Sequence, residues 1–255
     1  MCYVRYSREF LCSLADKQQG VSSWSDLPSE IRRRTKRGKR AGTIVKEVKK
    51  KKLISKRRFK PCLPSLVIGN VRSLNNDKMD MLEGLTVSQR EFREASLLCF
   101  TETWREQCSP TVTYTSRVRQ DRDRVASGKS AGGGVTTYVN KYCNPGHISV
   151  KARICTPGVE LLAIGLRPYY VPREFSHIIV ITTYIPPSAR AASASDVIHS
   201  LVSDLQTKHP CALMVINADF NHASLTRTLT GFTQYVRCAT RGEKSCCVLY
   251  FCCAL

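Results

Sequence analysis

A chain of 255 residues with 42% hydrophobic content is long enough for one large α/β domain or two small ones, and a formal net charge of +20 favours a polyanionic partner over a basic one. The thirteen cysteines are odd in number and scattered, with no C-x-x-C pair and no paired Cys/His spacing, which excludes a disulfide scaffold and a zinc finger and leaves reduced thiols. The start, Met1 to Glu9, lacks the apolar core of a signal peptide, and no apolar stretch reaches the roughly 18 residues that span a bilayer. A nuclear or cytoplasmic protein without stable membrane association is therefore expected.

Residues 1–60 read as a basic tail, disordered or helical in part from Ile44 to Ile54. Ile31 to Lys60 holds 16 Lys or Arg against the single acid Glu47, while the rest of the chain holds 24 basic and 19 acidic residues. Basicity thus belongs to a segment and not to the domain. The run Arg32, Arg33, Arg34, Lys36, Arg37, Lys39 and Arg40 is dense enough for a localisation signal or for an arm that binds DNA or RNA. Such an arm adds salt-sensitive, sequence-blind affinity through counterion release. The plainer alternative is a solvated spacer.

Residues 61–255 alternate between strand and helix texture. Strands are predicted at Ser65 to Asn70, Ser96 to Glu102, Gly133 to Val139, Ile148 to Ile154, Val159 to Leu166, Ile178 to Ile185 and Cys211 to Asp219. Helices are predicted at Asp77 to Gln89 and Ser193 to Thr207, the second with Val197, Leu201, Val202 and Leu205 on one face. Consecutive central strands flanked by βα units point to an α/β sandwich of two sheets with outer helices. Cys246 to Leu255 is expected to be an edge strand or an exposed apolar segment.

Three apolar runs end in residues suited to phosphodiester chemistry: Leu66 to Asn70, Leu97 to Glu102, and Leu213 to Asn221. Metal-assisted cleavage needs a hard cation held by a carboxylate and other oxygens, a group that aims water, and donors that hold the phosphate. Glu102 suits the metal, with Asn70 as its neighbour. Asp219 and Asn221 suit the water, and Tyr184 can donate to a phosphate oxygen. Each of these residues taken alone is equally a strand-end cap or turn residue. Four such strand ends together weaken that reading.

These residues occur in a specific order: Asn70 in Gly-Asn-Val-Arg-Ser-Leu, Glu102 in Phe-Thr-Glu-Thr-Trp, Gly132-Gly133-Gly134-Val135, Tyr184 in Thr-Tyr-Ile-Pro-Pro, and Ala218-Asp219-Phe220-Asn221. From about Pro61 to Tyr250 the set resembles the apurinic-type endonuclease domain of LINE-class (non-LTR) retrotransposons, within the exonuclease-endonuclease-phosphatase superfamily. The resemblance implies a four-layer α/β sandwich, two packed mixed sheets with outer helices, that nicks DNA with Mg²⁺ for target-primed reverse transcription. It makes Asn70 and Glu102 the metal-side pair, Tyr184 a phosphate contact, and Asp219 and Asn221 the water-orienting and phosphate-contacting pair.

Two departures from the family pattern shape what is expected of activity. Cys247 stands where the family places an Asp, and Leu255 arrives before the family's Ser-Asp-His segment, so a C-terminally incomplete domain with impaired nicking is expected. The alternative is a non-catalytic nucleic-acid-binding protein using the basic arm and a relic groove. Gly128-Lys129-Ser130-Ala131-Gly132 matches G-x-S-x-G in the wrong context, with charged residues before it and a strand after it. Cys252-Cys253-Ala254-Leu255 fits a prenylation signal only formally. The five histidines are dispersed, and His222 is the one placed to approach the site, next to Asn221.

Overall fold

The computed structural model describes residues 2–4, 63–104, 114, 116–128, 132–140, 147–168, 171–221, 223–236 and 247–252. The basic run from Arg32 to Arg40, His222 and the terminal Cys-Cys-Ala-Leu beyond Cys252 lie outside the described residues.

Strands that are apolar without alternation need cover on both faces. Leu97–Thr101 (β3), Val135–Val139 (β5) and Glu160–Leu166 (β7) are buried at every position, and Leu66–Asn70 (β2) and His177–Tyr184 (β8) at all but one. Two packed sheets with helices outside them meet that need. The first sheet runs β1 (Cys2–Val4), β2, β3, β5, β4 (Ser116–Gln120), with β2 and β3 parallel and the other pairs antiparallel. The second runs β10 (Thr233–Gln234), β11 (Cys247–Cys252), β9 (Ala212–Asp219), β8, β7, β6 (Ser149–Cys155), with only β8 and β9 parallel.

Helix α1 (Asn76–Ser88) starts where the Asn75 side chain accepts the Lys78 N–H at 3.1 Å, a common N-cap bond. With α2 (Arg90–Glu94) it covers the first sheet, setting Leu82 and Phe92 against Val67, Leu98, Phe100 and Tyr138. A further short helix, α3 (Arg124–Ser127), is capped by Asp123, which accepts from the N–H groups of Val125 and Ala126. Helix α4 (Ala191–Lys208) covers the second sheet with Ala194, Ile198, Val202 and Leu205, near-regular four-residue steps that keep one stripe inward. Val197 and Leu201, expected on that stripe, pack only partly against it.

Between the sheets the largely apolar core includes buried polar residues such as Thr137, Thr182 and Asn217. The Thr137 and Thr182 hydroxyls meet at 3.1 Å, one from each sheet. Cys99 is buried beside them, and burial pushes its thiol up to about 11 despite contacts to Thr182, Thr137 and Asn217. It stays a protonated, inert thiol. Among the described residues Cys99, Cys155 and Cys211 are unbridged.

Besides the short elements α2, α3 and β10, which the sequence reading does not predict, three strands differ from the expectation. Cys247–Cys252 is not an edge strand, because Thr233–Gln234 pairs along its outer side. Ser116–Gln120 forms a strand that its Arg-Val-Arg texture conceals, half-buried at every position. Cys2–Val4, at the head of the basic tail, pairs antiparallel with β2. Among the described residues no helix is long and apolar enough to cross a membrane.

His177 opens β8 at the end of the sheet opposite Tyr184, and its ring meets that of His209 edge to face at 5.0 Å. Burial depresses both imidazoles. His209, Lys151 and Arg167 add to the effect at His177, and Lys151 and Lys208 add to it at His209. A histidine held neutral contributes stability above its unfolded pKa of about 6.5, and that contribution is lost as pH falls through this value toward the folded pKa. Thermal melts are expected to show Tm falling between pH 7.5 and pH 5 by a steeper slope than in His209→Gln, a window set by those imidazole pKa values.

Candidate active site

Strand direction decides which residues meet. The parallel pairs β2/β3 and β8/β9 bring their C-terminal ends to one rim, with Asn70 beside Thr101 and Tyr184 beside Asp219. The antiparallel neighbours β5 and β7 bring their N-terminal ends to the same rim, with Val135 beside Thr101 and Glu160 beside Tyr184. β11 enters there too, with Cys247 in register with Asp219.

Three polar contacts tie the two sheets together at this rim. The Asn70 amide donates from Nδ2 to Asp219 Oδ2 at 2.6 Å. The Tyr184 hydroxyl donates to Glu102 Oε1 at 2.7 Å. Arg122 Nε pairs with Glu160 Oε1, both side chains being more than 90% buried. Asn221 completes the set, its N–H 3.4 Å from Asp219 Oδ1 and its side-chain Nδ2 donating to the Ile185 carbonyl at 2.7 Å. All five residues singled out from the sequence therefore lie at one end of the sandwich. Their pairing differs from the expected grouping, because Asn70 bonds to Asp219 and Glu102 bonds to Tyr184.

The loops that carry them are strained. Among the described residues the non-glycine positions with positive φ are Arg72, Ser73, Glu102, Trp104 and Asn221, with φ between 45° and 76°, and every one belongs to this rim. Such conformations cost on the order of 1–3 kcal/mol each and persist only where the surroundings over-determine them. Here the loop after β2 is zipped to the loop after β3: Val71, Ser73 and Leu74 N–H groups donate to the carbonyls of Thr101, Glu102 and Thr103 at 3.1, 2.7 and 3.2 Å. Gly134 and Gly133 carbonyls in turn accept from the N–H groups of Thr103 and Trp104 at 3.2 and 2.9 Å.

Electrostatics follow from burial. Burial raises the Asp219 carboxyl above its ordinary value, with the Asn70 amide and the Asn221 N–H pulling back and Glu102 adding to the rise. Burial also raises Tyr184 well above the usual phenol range, reinforced by its hydrogen bond to Glu102 and by the charge of that carboxylate. Tyr184 is thus a protonated donor throughout the neutral range.

The sequence alone does not single out the Arg122–Glu160 pair. Its one visible signal is a lone acid in the otherwise apolar run Val159 to Leu166. Glu160 also accepts the Gly134 N–H, and Arg122 Cζ stands 5.9 Å from the centre of the Tyr184 ring. Gly133, at φ +75°, lies so close to Arg122 that a Cβ there would collide with the guanidinium. The glycine turn is therefore shaped to the arginine, and the arginine is set beside the tyrosine.

Neither a family model nor a curated protein sequence matches the chain. Solved structures similar to it include the endonuclease domain of TRAS1, a telomere-specific non-LTR retrotransposon, at 14% identity and TM-score 0.47 over 74% of this chain and 83% of that one. It is also similar to humanized D. rerio TDP2 carrying 14 mutations, at 11% identity and TM-score 0.48 over 74% and 83% of the two chains. An endonuclease/exonuclease/phosphatase family protein from Bacteroides thetaiotaomicron is similar at 8% identity and TM-score 0.48 over 73% and 82%.

Removing one partner of a buried ion pair leaves the other charge uncompensated, at a cost of about 3–5 kcal/mol. Arg122→Ala and Glu160→Ala are each expected to lower unfolding stability by about that much in urea titrations, and the double variant by clearly less than the sum. Additive losses would show that the two groups do not interact.

Proposed function

We propose that this chain is a Mg²⁺-dependent DNA endonuclease domain of a retrotransposon-derived protein, nicking a phosphodiester to prime reverse transcription. The observation that supports the reading best is the convergence, across two sheets, of Asn70, Glu102, Tyr184, Asp219 and Asn221 at one strained rim. A structural cap needs only its own strand end; these residues bond to partners 82 and 149 positions away.

The donor set fits a hard divalent cation. Mg²⁺ is typically held by one or two carboxylates with water and phosphate oxygens supplying the rest. Glu102 meets Tyr184 through Oε1 and brings a second carboxylate oxygen, Oε2, while Asn70 adds an amide oxygen. Glu102 and Asn70 would hold the cation, and when bound it neutralises charge on the phosphoryl group and orients it. Among the described residues no cluster of three His, Cys, Asp or Glu could enclose a metal ion, so on this reading substrate oxygens and water complete its shell.

The chain's own groups take the remaining work. Asp219, held by Asn70 and Asn221, is placed to accept a proton from an attacking water in its carboxylate form. Tyr184, kept protonated, donates a hydrogen bond, to Glu102 in this structure and to a phosphate oxygen once substrate competes for it. Asn221 Nδ2 is engaged by Ile185, so its side chain acts through the geometry of the loop as much as by contact.

A second reading, nucleic-acid binding without cleavage, draws support from register. Cys247 lies beside Asp219 where the resemblance would place an acid, so the site has one carboxylate fewer than the resemblance leads one to expect. Nicking of supercoiled plasmid with Mg²⁺ and with EDTA separates the two. On the nuclease reading Glu102→Ala and Asp219→Ala each lower the Mg²⁺-dependent rate by about 10²–10⁴-fold, the usual worth of a positioned acid or base. Unchanged nicking in either variant would remove that residue from the assignment.

The basic run is proposed to supply the salt-dependent part of DNA affinity. Replacing Arg32, Arg33, Arg34, Lys36, Arg37, Lys39 and Arg40 by Gln is expected to flatten the slope of log affinity against log salt by up to about 6, near 0.9 for each phosphate no longer neutralised. A slope that does not move would identify the run as a spacer or a localisation signal.

A further inference from the structure

We infer that Trp104 is a stacking platform for an unpaired nucleobase next to the phosphate that the rim receives. This rests on the nucleic-acid reading above and adds to it: the ligand is a base-bearing strand, not a small phosphoester.

Trp104 lies two residues beyond Glu102, and 42% of its surface is open. The large apolar side chains exposed among the described residues are Met81, Val87, Trp104, Val125 and Val150, and Trp104 is the aromatic one. Met81 and Val87 lie on α1, Val125 on α3 and Val150 on β6. Scattered exposed aliphatics are ordinary; an exposed indole beside a candidate metal ligand is not explained by packing.

Its position is held from both sides. The Trp104 N–H donates to the Gly133 carbonyl at 2.9 Å, and its own carbonyl accepts from the Arg119 guanidinium. The residue sits at φ +55°, a left-handed conformation in which an L side chain is strained and which these bonds enforce. The indole Nε1 lies about 3.7 Å from where a Cβ on Gly132 would project, and Arg122 Nη1 is 3.4 Å from the same point. A purely structural tryptophan covering this turn would be buried; this one covers the glycine turn and still leaves nearly half its surface to solvent.

The neighbouring chemistry suits a nucleotide. The Arg119 guanidinium, itself paired with Asp121, is bonded to the Trp104 carbonyl, and Arg72 acts electrostatically on Asp219 at the same rim, so basic groups stand beside the aromatic and beside the carboxylate. Aromatic rings beside basic groups bind single strands without sequence preference, because every base has a π-face, and truncating one such ring weakens binding about 5- to 100-fold. An indole fixed by its backbone loses little freedom on stacking, which favours this use over a mobile loop residue.

The chain has two tryptophans, so Trp24→Phe leaves Trp104 as the single indole reporter. The test titrates this full-length variant, in EDTA, with single-stranded DNA, with RNA of the same length and with an abasic DNA strand of that length, binding itself being followed by anisotropy of an end label. Saturable quenching by DNA or RNA and none by the bound abasic strand supports stacking, and the lower half-saturation tells which nucleic acid is preferred. Adding Trp104→Ala is then expected to weaken the base-bearing strand about 5- to 100-fold while moving the abasic strand by less than about twofold. Equal quenching by the abasic strand, no quenching at all, or equal loss of affinity for both strands would overturn the inference. The quenching result stands without Trp104→Ala should that variant fail to fold. No cleavage is needed, so stacking here together with no Mg²⁺-dependent nicking in the plasmid assay would sink the nuclease reading and leave this one intact.

Discussion

Polar groups buried between two sheets must find partners across the gap, and this constraint organises one end of the molecule. Arg122 and Glu160 come from different sheets and are almost wholly removed from water. In such surroundings the desolvation cost of each charge is several kcal/mol, and only a well-bonded partner offsets it. Glu160 has that partner and the Gly134 N–H besides. Once the pair is in place, the glycine turn must close over Arg122 and Tyr184 must stand beside it, within 5.9 Å. The hydroxyl of Tyr184 then reaches Glu102, and the neighbouring strand end sets Asp219 against Asn70.

The strain at the rim has the same origin. Glu102 and Trp104 hold positive φ on either side of Thr103, and both are stitched to the glycine turn or to the loop after β2. Gly132, Gly133 and Gly134 carry φ of 78°, 75° and 84° in succession, a path that no other residue type follows cheaply. At Gly133 the reason is doubled, because the missing Cβ is also the space that Arg122 occupies. Rigid loops on a rigid sandwich keep side chains to within a fraction of an ångström, which is what a charged reaction centre requires.

Strands that are apolar at every position were legible in the sequence, because nothing but a doubly covered strand tolerates a run such as Leu161-Leu162-Ala163-Ile164. The candidate residues were legible for a related reason: Asn70, Glu102, Tyr184 and Asp219 interrupt or end such runs. Ser116–Gln120 was not, since a half-buried edge strand rich in arginine looks like a charged loop. The Cys247–Cys252 strand looked like an edge because its outer neighbour is only two residues long. Which polar groups bond to which was beyond reach. Asn70 and Asp219 are 149 residues apart, and their contact depends on how two sheets face each other, which no local pattern encodes.

Arm and rim, on the proposed function, would bind the same strand by terms that respond differently to conditions. The segment from Ile31 to Lys60 carries 16 of the 40 Lys and Arg residues, so most of the chain's excess positive charge belongs to that stretch of sequence. Its contribution falls steeply with ionic strength, because it consists of released counterions. Stacking on Trp104 and hydrogen bonding at the rim involve desolvated, short-range contacts that salt screens much less. On that proposal, raising salt weakens the arm's contribution before that of the rim. The separation matters because the two have different geometric demands: the arm needs only charge density, whereas the rim needs the Arg122–Glu160 pair, the glycine turn and the cross-sheet bonds all in place at once.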